Sequence, residues 1–264
     1  MGLVSIGEAE LWTESYGDGE PLLLVAGLGG TGAFWQQQIP LLAKRYQVIV
    51  HDHRGVGRST PAPIIDGARH MAADVEALMD ALEIERAHVV GHSTGGAIGQ
   101  HLALNCPQRI ASLVLSASWG GPTPLFIDTF HLRREVLINL GTRAYLMLGS
   151  LLAMPGPHLA AGYQGSDVFL KDRIANFPGL EVELARLNAV MSHDLRHRLG
   201  DISVPTGVIS AADDVLTTQP MSDELAERIP GARQVLLAQC GHFCPVTNTG
   251  PYNEALLKLL AELS

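Results

Sequence analysis

The sequence predicts an α/β protein with a mostly parallel sheet, helices on both faces and an inserted helical cap. Three observations carry this. Short β-like apolar runs alternate with stretches of helical spacing up to about residue 120. The alternation stops between Gly120 and Gly200, where apolar helix-like segments follow one another with little strand character. It resumes after residue 200 and runs to the end. Strands separated by helices imply parallel pairing, with both faces of the sheet covered. The expected organisation is therefore core (1–120), cap (121–200) and core again (201–264).

In chain order, Leu11–Tyr16 and Leu22–Ala26 read as strands joined by Gly17-Asp18-Gly19-Glu20-Pro21, a hairpin-type turn. A glycine-rich loop occupies Gly27–Gly32, and Trp35–Leu42 reads as a short helix interrupted by Pro40. Tyr46–Val50 has the apolar run of a buried strand, followed by a loop over His51–Pro63. Met71, Val75, Leu78, Met79 and Leu82 place a helix over Arg69–Leu82. Strand His88–Val90, helix Thr94–Asn105 and strand Ile110–Ser116 complete the first part. The cap segments are Phe126–Leu140, Thr142–Met154 and Leu180–Leu199, punctuated at Pro155-Gly156-Pro157 and Pro178-Gly179. Strand Thr206–Ala211, helix Ser222–Ile229, strand Arg233–Leu237 and helix Tyr252–Leu263 close the core.

Composition narrows the function classes. The chain has 18 Lys and Arg against 27 Asp and Glu, a formal charge of −9. A nucleic-acid partner needs a basic face, and so does an anionic membrane surface, so neither is expected. The start, MGLVSIGEAELW, has no signal-peptide pattern. Ile6 stands where a myristoylation pattern wants Ser or Thr. No apolar run is expected to approach the ~18 residues of a membrane span. Three cysteines, Cys106, Cys240 and Cys244, are too few for a disulfide framework, so a cytoplasmic location is expected. The partner expected is a small-molecule substrate, and a homo-oligomer is compatible with the sequence.

Gly91-His92-Ser93-Thr94-Gly95 is a G-x-S-x-G motif between a strand and a helix. Such an elbow strains the serine backbone and lifts its hydroxyl clear of the sheet; small neighbours let strand and helix pass closely. A serine hydroxyl is a weak nucleophile that needs a base, and the base needs an orienting carboxylate. Downstream, Asp213-Asp214 follow a strand, and Cys240-Gly241-His242-Phe243 precede the last helix. Ser93, Asp214 and His242 thus lie at the C-terminal ends of strands, where open α/β sheets bind ligands. Both aspartates fall beyond the strand; the pattern small-x-Asp-Asp-x-Leu favours Asp214 over Asp213. An oxyanion would be held by two backbone amides, from Thr94 after the nucleophile and from Leu28 in the glycine loop.

Other motifs in the chain compete with this reading. Gly27-Leu28-Gly29-Gly30-Thr31-Gly32, with Asp52 about 20 residues on, matches the dinucleotide fingerprint. That reading leaves the elbow, Asp214 and His242 without a role. Cys240-x-His242-x-Cys244 and His193-x-x-x-His197 resemble metal-ligand spacings. The first belongs to the loop bearing His242, and the second lacks the Glu of H-E-x-x-H and is expected on a wet cap helix. No metal and no cofactor is expected. His51 and His53 read as structural, with His53 at the border of the pocket, and Asp52–Gly55 as a brace for the site loops.

Together, Gly27–Gly30, Asp52-His53-Arg54-Gly55-Val56-Gly57, Gly91–Gly95, Asp214 and Cys240-Gly241-His242 resemble the α/β-hydrolase superfamily over the whole core. Within it, the chain is similar to 3-oxoadipate enol-lactonases and to aminoacrylate (carbamate-type) hydrolases of pyrimidine degradation. Trp35 with Gln38, Leu102–Asn105 with Pro107, Arg133-Arg134 and Arg186–Ala189 carry the narrower likeness. It departs from the common pattern at Ala26-Gly27, often His-Gly, and at Thr217-Thr218, where a proline often follows the acid.

The resemblance implies a serine hydrolase of small esters, lactones or activated amides and carbamates, acting through an acyl-enzyme on Ser93. The same triad could instead cleave a C–C bond in a diketone-like acid, and a non-catalytic ligand-binding module is the reading outside enzymology. Arg133, Arg134 and Arg186 are candidates for pairing with a substrate carboxylate. Trp119, Phe126, Met147 and Phe243 are candidates for lining the pocket. Core packing and solvation are the competing roles for these seven.

Overall fold

A computed structural model of the chain describes residues 1–63, 67–161 and 163–263; Ile64, Ile65, Asp66, Gly162 and Ser264 lie outside the described residues. Eight strands form one sheet: β1 (Gly2–Ser5), β2 (Glu10–Tyr16), β3 (Glu20–Val25), β4 (Tyr46–His51), β5 (Ala87–His92), β6 (Ile110–Ser116), β7 (Thr206–Ala211) and β8 (Arg233–Leu237). Their spatial order is β1-β2-β4-β3-β5-β6-β7-β8. The pairs β1–β2 and β2–β4 are antiparallel, and all pairs from β4 to β8 are parallel. Every residue of β5 and β7 is buried, as expected of strands covered on both faces. The edge strand β1 alternates between half-buried and exposed.

The helices are α1 (Ile39–Leu42), α2 (Gly67–Ala81), α3 (Thr94–Asn105), α4 (Pro124–Ala153), α5 (Gly156–Ala160), α6 (Ser166–Phe169), α7 (Lys171–Ala175), α8 (Leu180–Ser192), α9 (Gln219–Arg228), α10 (Cys244–Thr247) and α11 (Thr249–Leu263). Alternation along β3 divides the core. Leu23 and Val25 pack with Met71, Val75, Ile98, Leu102 and Leu225 of α2, α3 and α9. Leu22 and Leu24 pack on the opposite face with Leu42, Tyr252, Leu256 and Leu259 of α1 and α11. A third cluster crosses from cap to core. It joins Phe126, Phe130, Tyr145 and Leu187 of the cap helices to Ala97 of α3 and Leu216 beyond β7. Burying such side chains contributes about 1.5–3 kcal/mol each, so the cap is seated on the core by apolar contact.

Several expectations are corrected. The turn after Tyr16 reverses the chain but does not make a hairpin, because β4 lies between β2 and β3. The turn is crowded against the start of β4: a Cβ on Gly19 would sit 1.9 Å from the Arg45 carbonyl oxygen. The true hairpin is β1–β2, closed by an Ile6 N–H to Ala9 C=O bond of 2.9 Å. Trp35–Leu42 is two elements, a 3₁₀ turn over Gly32–Trp35 and then α1. Pro40 sits in the first turn of α1, where its missing N–H costs nothing.

The two helices expected at 126–140 and 142–154 are the two halves of α4, separated by a kink at Gly141, whose backbone (φ 78°, ψ 178°) is not helical. By length and composition α4 is long and apolar enough to cross a bilayer, the one such helix among the described residues. Its buried side chains, among them Phe126, Phe130, Leu137 and Tyr145, pack in the cap–core cluster. Helix α8 stops at Ser192, and a 3₁₀ turn over Arg196–Asp201 replaces its expected end. His193 and His197 therefore share no helix. His193 is buried with its ring against His101 and Trp119, whereas His197 is exposed.

Four buried imidazoles are held neutral. Burial pushes His51 down to about 4, helped against by Asp52 and Asp74. His193 falls to about 3 through burial and His101. His53 and His92 lie well below the ordinary value, chiefly through burial. An unfolded chain takes up these protons near 6.5 while the folded chain refuses them, so folding weakens as pH falls. Urea midpoints are expected to be flat from pH 8 to 7 and to drop between pH 6.5 and 4. The four act in the same direction, because each binds its proton in the unfolded chain first. A midpoint unchanged at pH 5 would contradict this.

Candidate active site

The site begins with a close approach. Helix α3 lies so near the sheet that a Cβ on Gly95 would sit 2.1 Å from the Val25 carbonyl oxygen. A Cβ on Gly91 would sit 2.2 Å from the Gly95 carbonyl oxygen. Only glycine fits either position. Between them Ser93 turns at φ 54°, ψ −116°, a strained conformation for a residue with a side chain. Its amide donates to the Ser116 carbonyl (2.8 Å), and its carbonyl accepts from the Ser118 hydroxyl (3.0 Å). The strain is thus fixed from β6 and the residues after it.

Two further loops reach this serine. His242 Nε2 lies 2.9 Å from Ser93 Oγ, and His242 Nδ1 lies 2.8 Å from Asp214 Oδ2. All three residues are buried. Asp214 Oδ1 accepts from the Leu216 amide (2.8 Å) and the Thr217 amide (3.1 Å), while the Thr217 hydroxyl donates to Oδ2 at 2.8 Å. This hydroxyl also lies 3.3 Å from His242 Nδ1. The neighbouring Asp213 does something else. Its Oδ1 accepts from the amides of Cys240 (2.9 Å) and Gly241 (2.8 Å), which pins the loop carrying His242. The structure therefore separates the two aspartates left open by the sequence: Asp214 meets the imidazole and Asp213 holds its loop.

The glycine loop after β3 passes over the serine. A Cβ on Gly27 would lie 3.1 Å from Ser93 Cβ. Among the described residues, neither the Leu28 amide nor the Thr94 amide has an acceptor. The Asp52 carboxylate braces this loop: Oδ1 accepts from the Gly32 amide (2.9 Å), and Oδ2 accepts from the Arg58 amide and Nε (3.0 Å each). Those bonds use the carboxylate that a dinucleotide ribose would need. The loop also runs into a single 3₁₀ turn, not a helix whose N-terminus could face a pyrophosphate. Among the described residues no group of three or more His, Cys, Asp or Glu side chains could hold a metal ion.

The seven candidate binding residues separate. Trp119 and Phe126 are buried against each other, with ring centroids 5.0 Å apart. Met147 is half-buried at the cap–core cluster, and Phe243, also half-buried, packs beside His242 at 5.8 Å. Arg134 is half-buried on α4. Arg133 is buried; its Nη2 donates to the Tyr145 hydroxyl (3.1 Å), which in turn donates to Glu183 Oε1. Its Nε has no partner.

Arg186 is turned to the glycine loop: Nε and Nη2 donate to the Leu28 carbonyl at 3.0 and 2.6 Å. Two of its donor atoms are thereby taken from the carboxylate pairing expected of it. Burial lowers its pKa from the ordinary value. Sequence reasoning missed Thr217, Tyr145 and Glu183. Only Glu183, three residues before Arg186 on one helix, carried a readable signal.

His53 is fully enclosed, with its ring stacked on His51 at 5.3 Å and Nδ1 3.2 Å from Arg186 Nη2. His92, next to Ser93, packs its ring 5.1 Å from that of His242, with Nδ1 3.2 Å from Ser116 Oγ.

The chain is similar to known proteins over this whole arrangement. The model of the α/β-hydrolase fold matches residues 20–150. A protein from Azorhizobium caulinodans that carries the name carbamate hydrolase RutD is 37% identical over 257 residues, covering 97% of each chain. A hydrolase of known structure from Pseudomonas aeruginosa superposes with a TM-score of 0.86 at 30% identity, over 98% of each chain. The enol-lactonase from Burkholderia xenovorans does so with a TM-score of 0.86 at 25% identity, over 98% of this chain and 99% of its own. The chain belongs to the α/β-hydrolase family.

Proposed function

We propose that the protein is a serine hydrolase cleaving a small ester, lactone or activated amide or carbamate through an acyl-enzyme on Ser93. The observation that carries this is the relay from Ser93 Oγ through His242 to Asp214, with contacts of 2.9 and 2.8 Å. His242 Nε2 takes the hydroxyl proton as Ser93 Oγ attacks the acyl carbon. The carbonyl oxygen becomes an oxyanion facing the two acceptor-free amides, Leu28 and Thr94; each such donor is worth about 3 kcal/mol in the transition state. Thr94 opens α3, whose positive dipole end adds to that field. Protonated His242 gives its proton to the leaving oxygen or nitrogen. Water then attacks the acyl carbon with His242 as base, releasing acid and free Ser93. Asp214 keeps Nδ1 protonated and stabilises the imidazolium.

The names of the relatives, carbamate hydrolase and enol-lactonase, support a carbonyl flanked by a good leaving group. The cap supports a substrate that bears a carboxylate. Arg133 and Arg186 are both buried there against a single buried acid, Glu183, which leaves one positive charge in surplus. Arg133 Nε has no acceptor, and its Nη2 lies 3.3 Å from where a Cβ of Gly149 would be. Gly149 is one turn of α4 before Ala153, whose carbonyl accepts from the Phe243 amide (3.1 Å) beside His242. A carboxylate on the acyl part would meet this guanidinium.

A fluorophosphonate probe is expected to modify Ser93, and Ser93→Ala to lose both labelling and turnover on aryl esters, enol-lactones and N-acyl enamines. Equal turnover by wild type and Ser93→Ala would defeat the mechanism. Turnover confined to diketone-like acids would move the assignment to C–C cleavage.

The two aspartates should differ in kind. Asp214→Asn is expected to lower kcat by about 10⁴. Asp213→Asn should keep kcat within several-fold and lose about 1–3 kcal/mol of stability, because two buried amides lose an ionic acceptor. The reverse pattern would exchange their roles. Arg133→Met should raise KM for carboxylate-bearing esters by about tenfold or more and leave KM for neutral esters unchanged; a uniform change would remove Arg133 from recognition.

A further inference from the structure

Arg186 is a cap residue, on α8, whose guanidinium reaches out of the cap and into the core. It is 1% exposed. Nε and Nη2 donate to the Leu28 carbonyl at 3.0 and 2.6 Å, and Nη2 lies 3.4 Å from the Gly27 carbonyl and 3.2 Å from His53 Nδ1. No carboxylate forms an ion pair with it among the described residues; Glu183 acts on it only through space. The loop is moulded round it. Gly30 has φ 69°, and a Cβ there would sit 2.6 Å from Nη2.

A buried cation held by carbonyl dipoles and a neutral imidazole is a costly arrangement. Its geometry says what it does. The Gly27 carbonyl belongs to the same peptide unit as the Leu28 N–H. A cation at the oxygen end of a peptide draws electron density from it and makes the N–H end a stronger donor. The Leu28 carbonyl, gripped by two donors, fixes the rotation of the next peptide and so the direction in which the Leu28 N–H points. The loop's remaining anchors come from the core: the His53 amide to Gly30 O (2.7 Å) and Asp52 to the Gly32 amide (2.9 Å). Both act beyond Leu28. At the donor peptide itself the Gly27 carbonyl accepts from the Gly30 amide (2.9 Å) within the loop, and Arg186 is a side chain from outside the loop that reaches the same oxygen.

We propose that Arg186 is a positioning residue for the oxyanion site, by which the cap orients and polarises the Leu28 amide in the core. This rests on the reading of Leu28 as an oxyanion donor. It gives Arg186 a role in turnover of every substrate, distinct from recognition of a carboxylate. It also ties the seating of the cap to the readiness of the site, since lifting α8 would withdraw the guanidinium from the loop.

The test compares wild type, Arg186→Met, Arg186→Lys and Gly30→Ala on two aryl esters of matched leaving group, a neutral acetate and a carboxylate-bearing hemisuccinate. Arg186→Met is expected to lower kcat by about 10²–10³ on both esters, the loss typical of one oxyanion donor. KM should stay within about threefold, and fluorophosphonate labelling of Ser93 should slow by a similar factor. Arg186→Lys, which keeps the charge and one donor, should recover part of kcat on both esters. Gly30→Ala keeps Arg186 but displaces it from the loop, and should show the kcat loss; with Arg186→Lys it decides the matter if Arg186→Met does not fold.

A loss confined to the hemisuccinate, or one that falls in KM, would overturn the proposal and make Arg186 a carboxylate receptor. Wild-type kcat in folded Arg186→Met would overturn it as well. Full turnover by Ser93→Ala would show instead that the underlying serine mechanism is wrong.

Discussion

The strained backbone of Ser93 is the constraint on which the rest of the molecule depends. A residue with φ 54° and ψ −116° persists only where its surroundings leave it no alternative. Here β5 ends beneath it, α3 starts above it, and the missing side chains let α3 approach β5 at Gly91 and β3 at Gly95. The parallel core on either side of β5 supplies the stiffness. Relaxing the serine would mean moving a strand buried on both faces, which the packed clusters above and below the sheet resist.

Around this point the chain distributes its work between adjacent residues. Asp213 and Asp214 are one bond apart in sequence and face different tasks, one toward backbone amides and one toward the imidazole. Thr217 saturates the acid further by donating through both its amide and its hydroxyl. The glycine loop divides similarly. Asp52 and His53 hold its far end, and a cap arginine holds its near end. The cap is thus an electrostatic neighbour of the site as well as a lid of apolar side chains.

Much of this was readable from residues alone, because local rules were enough. The elbow is a contiguous pattern set by steric limits, and its strand and helix announce themselves by apolar periodicity. Asp214 and His242 follow from chain order at strand ends. What escaped the sequence depends on distance in the chain. Nothing near residue 186 says that its guanidinium will lie on a carbonyl 158 positions earlier. Thr217 looked like a departure from a common proline and proved to be a donor to the acid. The strand order failed for a related reason: a tight turn predicts reversal of direction, not which strand fills the space alongside. The division of the cap segments at residue 141 was legible, and Gly141 makes it by leaving the helical conformation at φ 78°.

The separation of 149 residues between the serine and its imidazole has a temporal meaning. During synthesis the hydroxyl emerges early and has no imidazole beside it while the cap helices and β7 are made. Beneath it, Tyr252 of the final helix donates to Ser116 (3.1 Å), so even the floor of the elbow waits for the end of the chain. Long-range closure of this kind is slow compared with local helix formation. A ribosome-bound fragment would have the shape of the elbow and neither the imidazole nor the carboxylate that meet it in the finished chain.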